Sequence, residues 1–253
     1  MVGSKNKTVA IKGGLGNQLF QYAFAKFLYK NFDISVQLDI SWYKQQSLRK
    51  FELNKFIIDN SFEIIDKPIT FLNKITSYRS EKLFIKLLKK NYLPPTNYFN
   101  GYWQDNFFAK YLTSPNDFNK DILKRIIDDE YYVIHLRKGD FAKSVVHHIL
   151  PNDYYKSYID LFKDKKIYVL SPIKKDALKF IKDMNLDASY VDTNEETAFN
   201  IIFNSSGGIA SNSTYCWWAI NMSNCKNWIM PFQWLRNINI FEHNLSIKNT
   251  IVK

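Results

Sequence analysis

Thr8-Val9-Ala10-Ile11-Lys12-Gly13-Gly14-Leu15-Gly16-Asn17-Gln18-Leu19-Phe20-Gln21-Tyr22-Ala23 is the stretch whose reading decides the fold. Thr8–Ile11 is a short apolar run, read as a buried strand, and Gly13-Gly14 stops it at a tight turn. From Gln18 to Tyr29 the residues Leu19, Phe20, Ala23, Phe24, Phe27 and Leu28 recur at three- and four-residue spacings, which predicts an amphipathic helix. Ile34–Leu38 then alternates like a second strand. Strand, glycine turn, helix and strand open a parallel α/β domain.

The alternation weakens over residues 41–97, where a basic helix is expected around Glu81–Lys90 and Pro94-Pro95 breaks the chain. Tyr98–Gln104 reads as a strand, with Asp105 capping a short helix after it. Strands are predicted at Tyr132–Leu136, Ile167–Leu170, Ser189–Val191, Gly208–Ser211 and Trp228–Met230. Helices are predicted between them at Asn152–Phe162, Ile173–Met184, Glu195–Phe203 and Ser213–Met222. Two α/β domains follow, 1–125 and 126–253, expected to face each other across a cleft, since open α/β sheets bind ligands at the carboxyl ends of their strands.

With 46% apolar and 23% charged residues among 253, the chain can bury a substantial core, and wholesale disorder is excluded. A formal charge of +11 attracts anions without choosing between nucleic acid, lipid headgroups and phosphorylated substrates. Cys216 and Cys225 are too few for a disulfide scaffold and read as reduced thiols. Neither a signal peptide nor an apolar run near 18 residues is visible. The expected location is cytoplasmic, with peripheral contact to the inner face of an anionic membrane as a minority option.

Three segments carry chemistry. In Gly13–Gln18, glycines at a strand-to-helix turn let the backbone approach a ligand, and a helix start offers unpaired N–H groups. The same residues equally make a plain turn with Asn17 as helix cap. No Gly-Lys-Ser/Thr ending is present, so a Walker loop is excluded. In His135-Leu136-Arg137-Lys138-Gly139-Asp140, an arginine leaving a strand end can clamp phosphate oxygens with paired donors at any working pH. In Ser211-Asn212-Ser213-Thr214-Tyr215-Cys216-Trp217-Trp218, small polar residues at a helix start suit a pyrophosphate. No Asp-x-Asp occurs, and the adjacent pair His147-His148 has no Cys or Glu beside it, so no metal site is expected.

Taken together, these segments resemble the α-1,2-fucosyltransferases of glycosyltransferase family 11. The likeness lies in Gly13–Gln18 running on into Leu-Phe-Gln-Tyr-Ala, in Gly101-Tyr102-Trp103-Gln104, in His135–Asp140 and in Asn212–Trp218. Their order and spacing match along nearly the whole chain. The resemblance implies two Rossmann-like domains of the GT-B type, with an N-terminal acceptor side and a C-terminal nucleotide-sugar side. It implies GDP-fucose as donor, no other cofactor, inversion at the anomeric carbon and a galactose-containing glycan as acceptor. Arg137 would bind the β-phosphate, with His135 and Asp140 shaping that site. Asn17 would face the reacting sugar or acceptor hydroxyl, Gly14 and Gly16 would let the ligand approach, and Asn212, Ser213 and Thr214 would hold the pyrophosphate. Asp140 is also the candidate base. One departure is the stretch Glu196–Gly208, which lacks the family's Leu-Met and Cys-Lys-His residues. Rival readings are a related transferase with another donor sugar, and a basic polyanion binder. Against the second, the basic residues are spread along the chain and the sharpest motifs are glycine turns, so no nucleic-acid partner is expected.

Overall fold

The computed structural model describes residues 6–57, 61–66, 78–138, 145–225, 227–248 and 250–253. The chain divides into two compact units, Met1–Asn119 and Lys120–Lys253.

In the first unit, β1 (Lys7–Ala10) leads into α1 (Leu15–Phe32), β2 (Val36–Asp39), α2 (Leu53–Phe56) and β3 (Glu63–Ile65). After them come α3 (Tyr78–Lys89), β4 (Tyr98–Phe99) and α4 (Asn106–Ala109). The strands form a parallel sheet in the order β3-β2-β1-β4. The first helix differs from its prediction. It begins at Leu15 with Gly14 as its cap, so Asn17 lies inside the first turn. It is also buried around its whole circumference from Leu15 to Leu28, with only Asn17 half-buried, rather than amphipathic. Its polar residues are satisfied internally for that reason, since an unpaired buried amide or cation is costly. Gln18 donates to the carbonyls of Gly13 and Lys50 and accepts from the N–H groups of Glu52 and Leu53. Gln21 accepts from Lys12 N and donates to Gly101 O. Lys26 pairs with Asp117 at 2.6 Å. Aromatic rings fill the space around the helix, with Phe24 stacked on Trp103 at 4.0 Å and edge-on to Phe99 and Phe108.

The predicted strand Tyr98–Gln104 is cut to Tyr98–Phe99, and beyond it Trp103 takes a positive φ of 54°. The other non-glycine residues in that region, among those described, are all Asn or Asp, which tolerate it. A buried tryptophan there stores strain of about 1–3 kcal/mol, which the surroundings must over-determine.

The second unit runs α5 (Lys120–Leu123), β5 (Tyr132–His135), α6 (Asn152–Ile159), β6 (Ile167–Leu170), α7 (Lys174–Asp183) and β7 (Ser189–Tyr190). It continues with α8 (Glu195–Asn204), β8 (Gly208–Ile209), α9 (Thr214–Met222) and β9 (Trp228–Met230). A hairpin of β10 (Gln233–Leu235) and β11 (Ile238–Asn239) precedes β12 (Ile251–Val252), and none of these three was predicted. Six parallel strands lie in the order β12-β9-β8-β5-β6-β7. Counted along the chain within that sheet, this is the 3-2-1-4-5-6 order of a dinucleotide-binding fold. Ile134, Leu136, Tyr155, Val169, Phe180, Ile209 and Ile229 pack as its core. Both cysteines are free thiols. Among the described residues no helix is long and apolar enough to cross a membrane.

Candidate functional site

In an open parallel sheet, ligands settle where the strand order reverses, because the two flanking crossovers leave the sheet on opposite faces and open a crevice at the carboxyl ends. The six-stranded sheet reverses between β5 and β8. His135 ends β5 and Ser211 lies just beyond β8, and the two side chains meet there, His135 Nδ1 to Ser211 Oγ at 2.7 Å. The Tyr155 hydroxyl donates to the His135 carbonyl, and the Tyr215 ring lies 6.4 Å from the imidazole. Burial, reinforced by the charge of Arg137, holds the His135 pKa down to about 3, so the imidazole is neutral at working pH. Arg137 is half-buried two residues past His135.

Helix α9 starts at this same place. Ser213 is its cap residue, and the N–H of Trp217 bonds the Ser213 carbonyl at 2.8 Å. Cys216, Trp217 and Trp218 are fully buried, which fixes the helix against the sheet. Asn212 donates to the carbonyls of His148 and Trp234, both at 2.8 Å, so its N–H groups brace the turn from within. His135, Arg137, Asn212, Ser213 and Thr214 therefore gather at one sheet end. Asp140 falls outside the described residues. A permanent cation, hydroxyls and a helix start make this end suited to a phosphate ester. Among the described residues no group of His, Cys, Asp or Glu could hold a metal ion.

The first unit has its own reversal, between β1 and β4. The segments leaving those strands are tied together: Lys12 Nζ donates to Asn100 Oδ1 at 2.7 Å, and Gln104 Nε2 to Asn17 Oδ1 at 2.9 Å. Gly13, at φ +80°, makes the turn, and the Tyr43 hydroxyl donates to its carbonyl at 2.9 Å. Gly14 and Gly16 lead into α1. The buried carboxylate of Glu81 accepts from Trp103 N at 2.7 Å and Tyr102 N at 3.1 Å, and so clamps the strained turn. Burial raises the Glu81 pKa against the pull of those two N–H groups, and burial lowers that of Lys12. Sequence reasoning missed Lys12 and Glu81. Glu81 reads as one more polar residue on a lysine-rich helix, and only its three-dimensional position distinguishes it. Gln18 and Gln21 are occupied in holding the backbone.

No protein-family model matches the chain. The O-antigen biosynthesis glycosyltransferase WbnK of Escherichia coli is 29% identical, over 90% of this chain and 95% of its own length. An alpha-1,2-colitosyltransferase of Escherichia coli is 26% identical, over 85% of this chain and 86% of its own. Among solved structures, the NodZ alpha-1,6-fucosyltransferase co-crystallised with GDP matches with a TM-score of 0.57 at 10% identity, covering 86% of this chain and 92% of that one. The Escherichia coli heptosyltransferase WaaC with ADP matches with a TM-score of 0.51 at 10% identity, covering 98% and 92%. The fold is α/β of the GT-B type, and the chain is an enzyme of the glycosyltransferase class.

Proposed function

We propose that this enzyme transfers L-fucose from GDP-fucose to a hydroxyl of a galactose-containing glycan, the 2-hydroxyl of a terminal galactose by preference, with inversion and without a metal. On this reading it is an α-1,2-fucosyltransferase akin to family 11, with the second unit holding the donor. The observation that carries the reading is that Arg137, just past β5, and the start of α9, just past β8, lie at the β5/β8 reversal, where His135 bonds Ser211. Breaking a glycosidic bond to phosphate passes through an oxocarbenium-like state while negative charge builds on the departing diphosphate. With no Asp-x-Asp to carry a divalent ion, that charge falls to the guanidinium of Arg137 and to the donors at Ser213 and Thr214. His135 stays neutral and acts as a scaffold for Ser211, leaving the cationic task to Arg137. Asp140 is assigned the acceptor proton, and Asn17 the alignment of the reacting hydroxyl.

The relative that acts as a colitosyltransferase favours a second reading, in which colitose takes the place of fucose. One assay addresses both. The protein, in excess EDTA, is offered GDP-fucose, nucleotide-activated colitose, GDP-mannose and UDP-sugars with a β-galactoside acceptor, and the product linkage is read by NMR. Fucosyl transfer giving an α-1,2 linkage is the expected result. Preference for colitose installs the second reading. Transfer only from UDP-sugars, or loss of turnover in EDTA, overturns both.

A further inference from the structure

We propose that Tyr102 is the platform on which the acceptor's pyranose ring rests, and that the strained turn Gly101–Gln104 exists to hold it there. The proposal deepens the transferase reading by naming a residue that selects the acceptor.

The turn lies at the β1/β4 reversal, the position in the first sheet where a ligand crevice is expected. Its construction is specific. Glu81 receives both N–H groups of Tyr102 and Trp103. Gly101 has to be glycine, since a Cβ there would come within 2.7 Å of Glu81 Oε2 and 2.8 Å of Trp103 Cε2. Trp103 is pinned by its stack on Phe24 despite its positive φ. These devices together fix one side chain that the core does not use. Tyr102 is 39% exposed, while Trp103 beside it is fully buried.

Polar groups of the kind that read sugar hydroxyls lie on the same loops. Lys12 Nζ sits over one face of the ring, 4.8 Å from its centroid, and Gln104, two residues on, donates to Asn17 at the start of α1. A pyranose has an apolar C–H face and a rim of hydroxyls. An aromatic ring with an ammonium over one face, and amides on the neighbouring loops, offers its other face to the C–H side and polar groups to the rim, as in other sites where an apolar surface carries a few placed polar groups. The lysine's charge is partly offset by Glu81, so the group suits an uncharged sugar better than a diphosphate.

Two measurements test the platform. In the transfer assay, Tyr102→Ala should raise the acceptor KM about tenfold with the donor KM unmoved, and Tyr102→Phe should stay near wild type. A rise in the donor KM instead, or equal damage from the Phe variant, overturns the proposal. The second readout needs no donor, so it stands even if the GDP-fucose assignment fails. In saturation-transfer NMR with methyl β-D-galactopyranoside, wild type and Tyr102→Phe should saturate the sugar protons and Tyr102→Ala should not. No saturation in wild type, equal saturation in the Ala variant, or displacement of the glycoside by GDP defeats it.

Discussion

At the scale of single residues, Arg137 and His135, which the resemblance places at the phosphate site, make opposite predictions. Arg137 is the permanent cation at the β5 end. Removing a donor aimed at developing charge costs roughly a hundred- to thousand-fold in turnover. Arg137→Ala should lose at least that much kcat, and Arg137→Lys should recover part of it, because charge survives but the paired fork does not. An alanine variant at near-native kcat would reassign the diphosphate. His135 contributes no charge. Its folded pKa of about 3 lies below the ordinary 6.5, so between those values the unfolded chain binds the extra proton. Stability from this residue is complete above pH 6.5 and is lost as pH falls toward 3. Thermal melts at about pH 7 and about pH 5 should show wild type losing more Tm than His135→Asn does. Equal losses would mean that the imidazole is not held neutral.

At the scale of elements, the decisive contact is between β5 and β8. Gly208 sits at φ +151° with its α-carbon so close to β5 that a Cβ would lie 1.8 Å from the Val133 carbonyl oxygen. Gly208→Ala should therefore abolish folded, soluble protein, as read by circular dichroism and size exclusion, whereas Gly14→Ala, whose Cβ would meet only Arg49 at 3.8 Å, should fold. Gly207 and Gly208 close the stretch Glu196–Gly208 that departs from the family pattern, and at Gly208 the reason for glycine is steric. Strands β5, β6 and β9 and helices α7 and α8 were legible because apolar runs alternate with amphipathic stretches there, and α9 because small polar residues precede a long apolar run. Helix α1 was legible as a helix but misread as amphipathic. A helix wrapped by its own unit shows apolar residues with a few satisfied amides, and periodicity cannot tell which face is covered. The last strands escaped notice because strands of two or three residues leave little pattern. Glu81 and Tyr102 escaped because their meaning depends on partners some twenty residues apart in the chain.

For the molecule as a whole, two α/β units each carry a parallel sheet with its own reversal point, and among the described residues the second shows the six-stranded dinucleotide-binding order. GDP bound there should raise Tm by mass action, equivalent to about 2.7 kcal/mol at a hundred times Kd. The shift should be the same in EDTA as in magnesium, and should shrink with added salt because the net charge is +11. A shift that needs magnesium would contradict the metal-free assignment. The enclosed rod of α1 has a consequence for anyone redesigning this catalyst. Randomising Leu19–Leu28 would spend a library on repairing the interior, since those positions answer to their neighbours on every side. Variation in what the enzyme accepts is better sought beyond the rod, at the exposed side chain of Tyr102, which can change without a cavity opening beneath it.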